Sequence, residues 1–145
     1  TGAMGLGSSH ALGLALGMPE RRIVVLDGDG SLLMNLGSLV TVANVAPPNL
    51  IHFVCENGTY EANGGHPIPG RDRVDFPGLA RSAGYASVYE FSELGDFSGR
   101  VDVALQAEGP VFASLKVETG VPPKMDYDHM HSARIREEFR AALKG

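Results

Sequence analysis

Apolar and polar positions alternate along this chain in two different rhythms. Arg21 to Leu26 closes on the run Ile23-Val24-Val25-Leu26, and Leu50 to Cys55 is a second short run of the same kind. Runs this short and this rich in β-branched residues predict strands covered on both faces of a sheet. Between them Leu36, Leu39, Val40 and Ala43 recur at helical spacing as far as Val45, and Pro47-Pro48 ends the helix. From Ser8 the pattern is also helical, with Leu6, His10 and Leu14 on one side, Ala11 and Ala15 beside them, and Gly17-Met18-Pro19 as the stop.

Asp75-Phe76-Pro77 opens a further helix through Leu79, Ala80 and Ala83, and Gly84 stops it. Ala86 to Phe91 alternates as a strand. Ser92 is expected to cap a helix that continues through Val101, Ala104 and Leu105, and Pro110 to Val117 is the last strand. Lys124 to Tyr127 reads as a linker, and Ser132 to Leu143 as a charged amphipathic helix with Ile135, Phe139 and Leu143 on one side. Helix and strand alternate throughout. The expected fold is therefore α/β: three layers, α/β/α, around a mainly parallel sheet, as one domain over residues 1–145.

If the first two strands are parallel neighbours, the turns that follow them meet at the carboxyl edge of the sheet, where open α/β folds bind ligands. The first turn is Gly28-Asp29-Gly30-Ser31 and the second begins Glu56-Asn57-Gly58-Thr59-Tyr60. Asp29 offers a charged oxygen, Asn57 a neutral one, and a loop carbonyl at Thr59 a third. Such a set suits Mg²⁺ shared with a phosphate. The amides of Gly30 and Ser31 are expected to point toward an anion, with Ser31 capping the next helix or reaching a phosphate oxygen. Residues 58–70 hold Gly58, Gly64, Gly65, Gly70, Pro67 and Pro69, the composition of a functional loop. His66 within it can hold or protonate an acidic substrate, or be a surface histidine. His10 reads as a satisfied or buried structural histidine, or as a cofactor contact. Asn35 and Asn44 read as helix-surface or capping residues. His129 and His131 belong to a solvated turn, since i,i+2 side chains diverge on a helix.

Composition narrows the class. The 145 residues are 43% hydrophobic and 20% charged, ordinary for one globular domain. A net charge of −5 with no basic cluster argues against a nucleic-acid surface. The single cysteine excludes an internal disulfide and a cysteine metal cluster, and Cys55 inside its strand reads as a small core residue. No run approaches a membrane span and no signal peptide is visible, so the cytoplasm is the expected compartment, without membrane attachment.

GDG, a spacer of 25 residues and then EN resembles the diphosphate-binding motif of thiamin diphosphate enzymes, which usually reads GDG…NN. GDGSLLMNLGSL with APPNLIHFVCENGTY is most similar to the cofactor subunits of sulfopyruvate and phosphonopyruvate decarboxylases, and TGAMGLGSSHALGLAL to the segment that precedes them. The resemblance covers roughly Thr1 to Glu118. It implies thiamin diphosphate and Mg²⁺ as cofactors, with the metal held by Asp29, Asn57 and the Thr59 carbonyl. It assigns the Gly2-Ala3-Met4 turn to the aminopyrimidine: the Gly2 carbonyl accepts its amino group, and the Met4 side chain wedges between the two rings. The alternative for Met4 is plain core packing. A mobile diphosphate-contacting loop is implied at Tyr60, Glu61 and Ala62, with Gly64-Gly65 as its glycine pair.

Two departures stand out. Glu56 replaces an amide or aspartate, and His66 stands where a glutamine is expected. The resemblance also places a strand and a diphosphate loop ahead of Thr1, so the amino-terminal part of a usual cofactor domain is expected to lie outside this chain. Enzymes of this kind take a glutamate from a separate pyrimidine-binding domain, which nothing here matches. The implied activity is therefore decarboxylation of a small acidic 2-oxo acid by a hetero-oligomer, this chain being inactive alone and needing a pyrimidine-binding partner subunit. Arg71 and Arg73 are candidates for a sulfonate or phosphonate group. The alternatives are an acetolactate-synthase-like carboligase subunit and a catalytically degenerate cofactor-binding module.

Overall fold

The computed structural model describes residues 4–120 and 126–144. Four parallel strands make one sheet in the order β1-β2-β6-β5: β1 (Ile23–Gly28), β2 (Leu50–Glu56), β5 (Ser87–Phe91) and β6 (Val111–Lys116). Every pairing in it is parallel, with Leu26 opposite Phe53, Phe53 opposite Ala113, and Tyr89 also opposite Ala113. Two-residue strands β3 (Thr59–Tyr60) and β4 (His66–Pro67) pair antiparallel as a separate hairpin around a 3-10 turn, Glu61–Asn63. The expected irregular loop thus carries a little regular structure.

Helices cover the sheet unequally. α1 (Gly7–Gly17), α2 (Asp29–Leu33), α3 (Ser38–Val45) and α4 (Phe76–Ala83) lie over one face, with Leu12, Leu32, Leu39, Val42, Leu50, Val54 and Phe112 in that core. α5 (Leu94–Gln106) packs over Phe53, Phe91 and Ala113 on the other face. The three-layer arrangement follows. α6 (Tyr127–Met130) and α7 (Ala133–Lys144) bury no residue, and α7 meets the body where Arg21 Nη1 donates to the Ala142 carbonyl at 2.9 Å. No helix among the described residues is long and apolar enough to cross a membrane.

Several local expectations are corrected. β1 is an edge strand, not one covered on both faces: Val24 and Leu26 are 47% and 73% exposed because α5 does not reach across to them. α1 buries Ser8, Ala11, Leu12 and Ala15, not the side carrying Leu6, His10 and Leu14. Small residues let it approach closely, and Ser8 Oγ donates to Ser38 Oγ at 2.8 Å. His10 is consequently exposed, not a buried structural histidine. Ser92 does not cap α5, whose N-cap Glu93 makes no side-chain bond. Asp75 does cap α4, accepting from the Gly78 amide at 2.8 Å, with Pro77 in the first turn and Gly84 at φ 105° as the stop.

Candidate functional site

The parallel register sets Gly28 opposite Cys55 at the carboxyl ends of β1 and β2, so the Asp29 and Asn57 turns emerge side by side. A cavity of about 250 Å³ opens between them, lined by Gly28, Asp29, Gly30, Ser31, Cys55, Asn57, Thr59, Glu61, Ala62 and Met4. It gathers the Asp29 carboxylate and the Asn57 amide from turns 28 residues apart in sequence, together with the Glu61 carboxylate.

Asp29 is buried, and both its oxygens face amides. Gly30 N–H donates to Oδ1 at 2.6 Å and Gly58 N–H to Oδ2 at 2.7 Å. Burial pushes its carboxyl above the usual range despite those bonds, the Asn57 amide and the positive charge of Arg71. The turn tolerates only certain residues. A methyl at Gly30 would lie 2.6 Å from Tyr60 Cδ1, and one at Gly58 would lie 2.5 Å from Arg71 Nε. Gly58 also takes φ 73°, the left-handed region that glycine enters freely.

The amide side chain of Asn57 is held at both ends. Its Oδ1 accepts from Thr59 N–H at 2.9 Å and Thr59 Oγ1 at 3.0 Å, and its Nδ2 donates to Glu61 Oε2 at 3.0 Å. Glu61 Oε1 in turn accepts the Gly120 amide at 3.0 Å, tying the segment after β6 to the site. Among the described residues no group of three or more His, Cys, Asp or Glu side chains converges as a metal cage. The Asp29 carboxylate beside the Asn57 amide oxygen, with the Glu61 carboxylate occupied by Asn57 and Gly120, instead fits a hard cation that completes its coordination with phosphate oxygens.

Not every expected residue enters the cavity. Ser31 lines it but caps nothing: α2 begins at Asp29, and Ser31 Oγ accepts Gly5 N–H at 3.0 Å. The Gly30 amide is turned onto Asp29, not toward an external anion. The ring of Tyr60 packs against Gly30 as a support. His66 is exposed on β4, away from the cavity lining. Met4 lines the cavity, and its Sδ accepts from Asn63 Nδ2 at 3.5 Å. Gly2 and Ala3 lie outside the described residues.

The structure corrects the reading of Cys55 and adds Ser114 and Lys116, which residue patterns did not single out. Cys55 is half-buried and lines the cavity, not the core. Burial and the charges of Asp29 and Asp27 push its thiol up. Glu56 accepts from Ser114 Oγ and Lys116 Nζ on β6. Burial opposes the charge on Lys116, yet the bonds and charges of Glu56 and Glu90 hold its ammonium above the ordinary range. The signal was present in sequence: Glu56 and Lys116 both end apolar strands, and adjacency of those strands makes them partners.

Paired glycine turns at the carboxyl edge of a parallel sheet, converging on one carboxylate, define a ligand-binding α/β domain. Residues 1–115 match the family model for the thiamine pyrophosphate enzyme C-terminal TPP binding domain, and the chain belongs to that family. It is 42% identical over 146 residues to the sulfopyruvate decarboxylase subunit beta of Methanothermobacter thermautotrophicus, covering 99% of this chain and 74% of that one. It is 39% identical over 140 residues to the phosphonopyruvate decarboxylase of Streptomyces viridochromogenes, covering 97% of this chain but 35% of the relative. The solved thiamine diphosphate-dependent 4-hydroxybenzoylformate decarboxylase of Rhodococcus jostii RHA1 superposes with a TM-score of 0.67 at 27% identity, over 81% of this chain and 24% of that one. The chain thus spans about a third of the length of the phosphonopyruvate decarboxylase it matches.

Proposed function

We propose that this chain is the thiamin diphosphate- and Mg²⁺-binding part of a 2-oxo acid decarboxylase of the sulfopyruvate or phosphonopyruvate type, working in the cytoplasm with a pyrimidine-binding partner subunit. The observation that carries the reading is the bond from Gly58 N–H to Asp29 Oδ2, which closes both halves of the diphosphate motif around one cavity. The domain family supports the cofactor. A relative named as a subunit, of which this chain spans 74%, supports a divided enzyme.

Bound thiamin diphosphate supplies the electron sink that loss of CO₂ from a 2-oxo acid requires. The chain's own residues serve that chemistry by holding. Asp29 and Asn57, with the Thr59 carbonyl, would ligate Mg²⁺, and the low-polarity burial of Asp29 strengthens its charge interaction with the ion. Met4 at the cavity rim would support the cofactor's bent shape, and Glu61 and Ala62 would line the diphosphate. Arg71, seated over Gly58, lends its positive charge to Asp29 and is a candidate for the anionic end of the substrate. His66 is placed on a hairpin that could fold over a bound acid.

The test is a titration calorimetry and turnover pair. Thiamin diphosphate should bind the complete enzyme only with Mg²⁺ present, and sulfopyruvate or phosphonopyruvate should release CO₂ where pyruvate does so poorly. Tight metal-independent binding would overturn the cofactor reading, and equal turnover of all three acids would overturn the substrate reading.

A further inference from the structure

β2 runs through the middle of the sheet as Leu50-Ile51-His52-Phe53-Val54, and the one polar member is fully buried. An imidazole there loses its hydration, so both nitrogens need partners. Both have them. Nε2 lies 3.3 Å from Asp27 Oδ2 and Nδ1 lies 3.4 Å from Tyr85 Oη. Burial pushes the Tyr85 phenol far up, so it stays neutral as it meets Nδ1. On the other side of the ring, Nε2–H donates to the Asp27 carboxylate.

Asp27 is the residue before the diphosphate turn. Its Oδ1 accepts the amide of its own neighbour Gly28 at 2.9 Å, where the backbone leaves the strand. The Ser31 hydroxyl, on the far side of the turn, helps to hold the Asp27 carboxyl low. Gly7 seals the carboxylate, since a methyl there would lie 3.2 Å from Asp27 Cγ. The Asp27 carboxylate therefore anchors the start of Gly28-Asp29-Gly30-Ser31, and His52 is the side chain that fixes that carboxylate from within the core.

We propose that His52 is a positioning residue of the cofactor site, acting through Asp27 to set the turn that presents Asp29. The proposal rests on the reading of this cavity as a diphosphate and metal site, and it names no contact between His52 and any ligand. It distinguishes the two imidazole nitrogens: the one facing Asp27 matters to the site, and the one facing Tyr85 only completes the burial.

Two isosteric variants separate these roles. In His52→Gln the terminal amide reaches the Nε2 position, toward Asp27. In His52→Asn it reaches only the Nδ1 position, toward Tyr85. Each is compared with the wild-type chain by amide NMR without ligand, and then, in the complete enzyme, for its affinity for thiamin diphosphate with MgCl₂. His52→Gln should keep the Gly28, Gly30 and Gly58 amide resonances and bind within about threefold of wild type, while His52→Asn should move those resonances and weaken binding by about tenfold or more. Equal behaviour of the two variants overturns the proposal, whether both are like wild type, equally weakened or equally unfolded. If wild type itself fails to bind thiamin diphosphate, the cofactor reading falls. The amide spectra still decide whether His52 sets the turn.

Discussion

Gly58 N–H donates to Asp29 Oδ2 at 2.7 Å across 29 residues of sequence, and this single bond couples the turn after β1 to the turn after β2. Asp29→Ala should remove the charge that bridges cofactor and protein. Mg²⁺-dependent thiamin diphosphate affinity should fall by well over about tenfold. The same change strands the Gly30 and Gly58 amides, which should cost about 1–3 kcal/mol of stability while leaving a folded protein. Calorimetry and thermal denaturation on one preparation read both effects. Unchanged affinity in a folded variant would remove Asp29 from the metal site.

The raised pKa of Asp29 gives two opposite pH trends. Its folded value lies above the ordinary 3.8, so its stabilising contribution to the ligand-free chain is present below 3.8 and is lost as pH rises through the raised value. Metal binding needs the ionised form, so Mg²⁺ affinity falls as pH drops through that same value. Asp27 moves the other way. Burial raises it, but the bonds of His52 and Ser31, the His52 charge and the Gly28 amide outweigh burial and hold it low. Its contribution is present above 3.8 and lost as pH falls below. The window above 3.8 therefore isolates Asp29, and both trends should disappear in Asp29→Asn, measured as the difference from wild type. A wild-type Mg²⁺ affinity that stays flat as pH drops all the way to 3.8 would contradict the assignment.

Glu56 departs from the family pattern, and its neighbours account for the change. Its carboxylate is largely buried between Ser114 and Lys116. Lys116→Met should leave that charge with one partner and destabilise the chain by about 1–2 kcal/mol, moderated because Lys116 is itself partly exposed. Adding Glu56→Gln should recover most of the loss, giving a coupling that a double-mutant cycle reads from denaturant midpoints. Additive effects would show that the pair is incidental.

Glu61 holds Asn57 by one oxygen and the Gly120 amide by the other. Glu61→Ala frees the Asn57 side chain to rotate, so Mg²⁺ affinity should weaken by about three- to tenfold, less than for Asp29→Ala, since the ligand oxygen remains. Thermal stability should barely change, because the site is at the surface edge of the sheet. Affinity equal to wild type would show that Thr59 alone orients the amide.

The architecture was legible because it rests on local signals. Asp75 and Pro77 begin α4 and Gly84 ends it through their own backbone chemistry, and β-branched runs make strands wherever they fall. Strand order is a long-range property. Nothing within Ile23–Leu26 reports that β1 lies at an edge, and so its exposed Val24 and Leu26 were unforeseen. The helical face of α1 was misread for a related reason: Ser8, Ala11 and Ala15 are buried for their smallness, which hydrophobic periodicity does not register. His52 lay in plain view within an apolar run, but its meaning depends on Asp27 and Tyr85, 25 and 33 residues away.

The purified chain alone should release no CO₂ from any 2-oxo acid, and activity should appear when a pyrimidine-binding subunit is added. The acidic side chains around the cavity are already engaged. Activation of the cofactor calls for a glutamate free to meet a pyrimidine nitrogen, and the two acidic residues that line the cavity, Asp29 and Glu61, have other partners. Asp27 is tied to His52, and Asp29 to Gly30 and Gly58. Glu56 and Glu90 face Lys116, and Glu61 spans Asn57 and Gly120. Farther off, Asp75 and Asp126 cap helices, and Asp96 and Glu138 pair with Arg100 and Arg134 one helical turn away. Recruiting any of them would break a bond that shapes the site or a helix end. A partner supplying that glutamate would also cover the open side of the cavity at Met4. Mixing the two chains should raise CO₂ release from background to steady turnover, with a stoichiometric endpoint in the titration. Steady release by this chain alone, in a preparation shown by mass spectrometry to hold no second protein, would overturn the two-subunit reading.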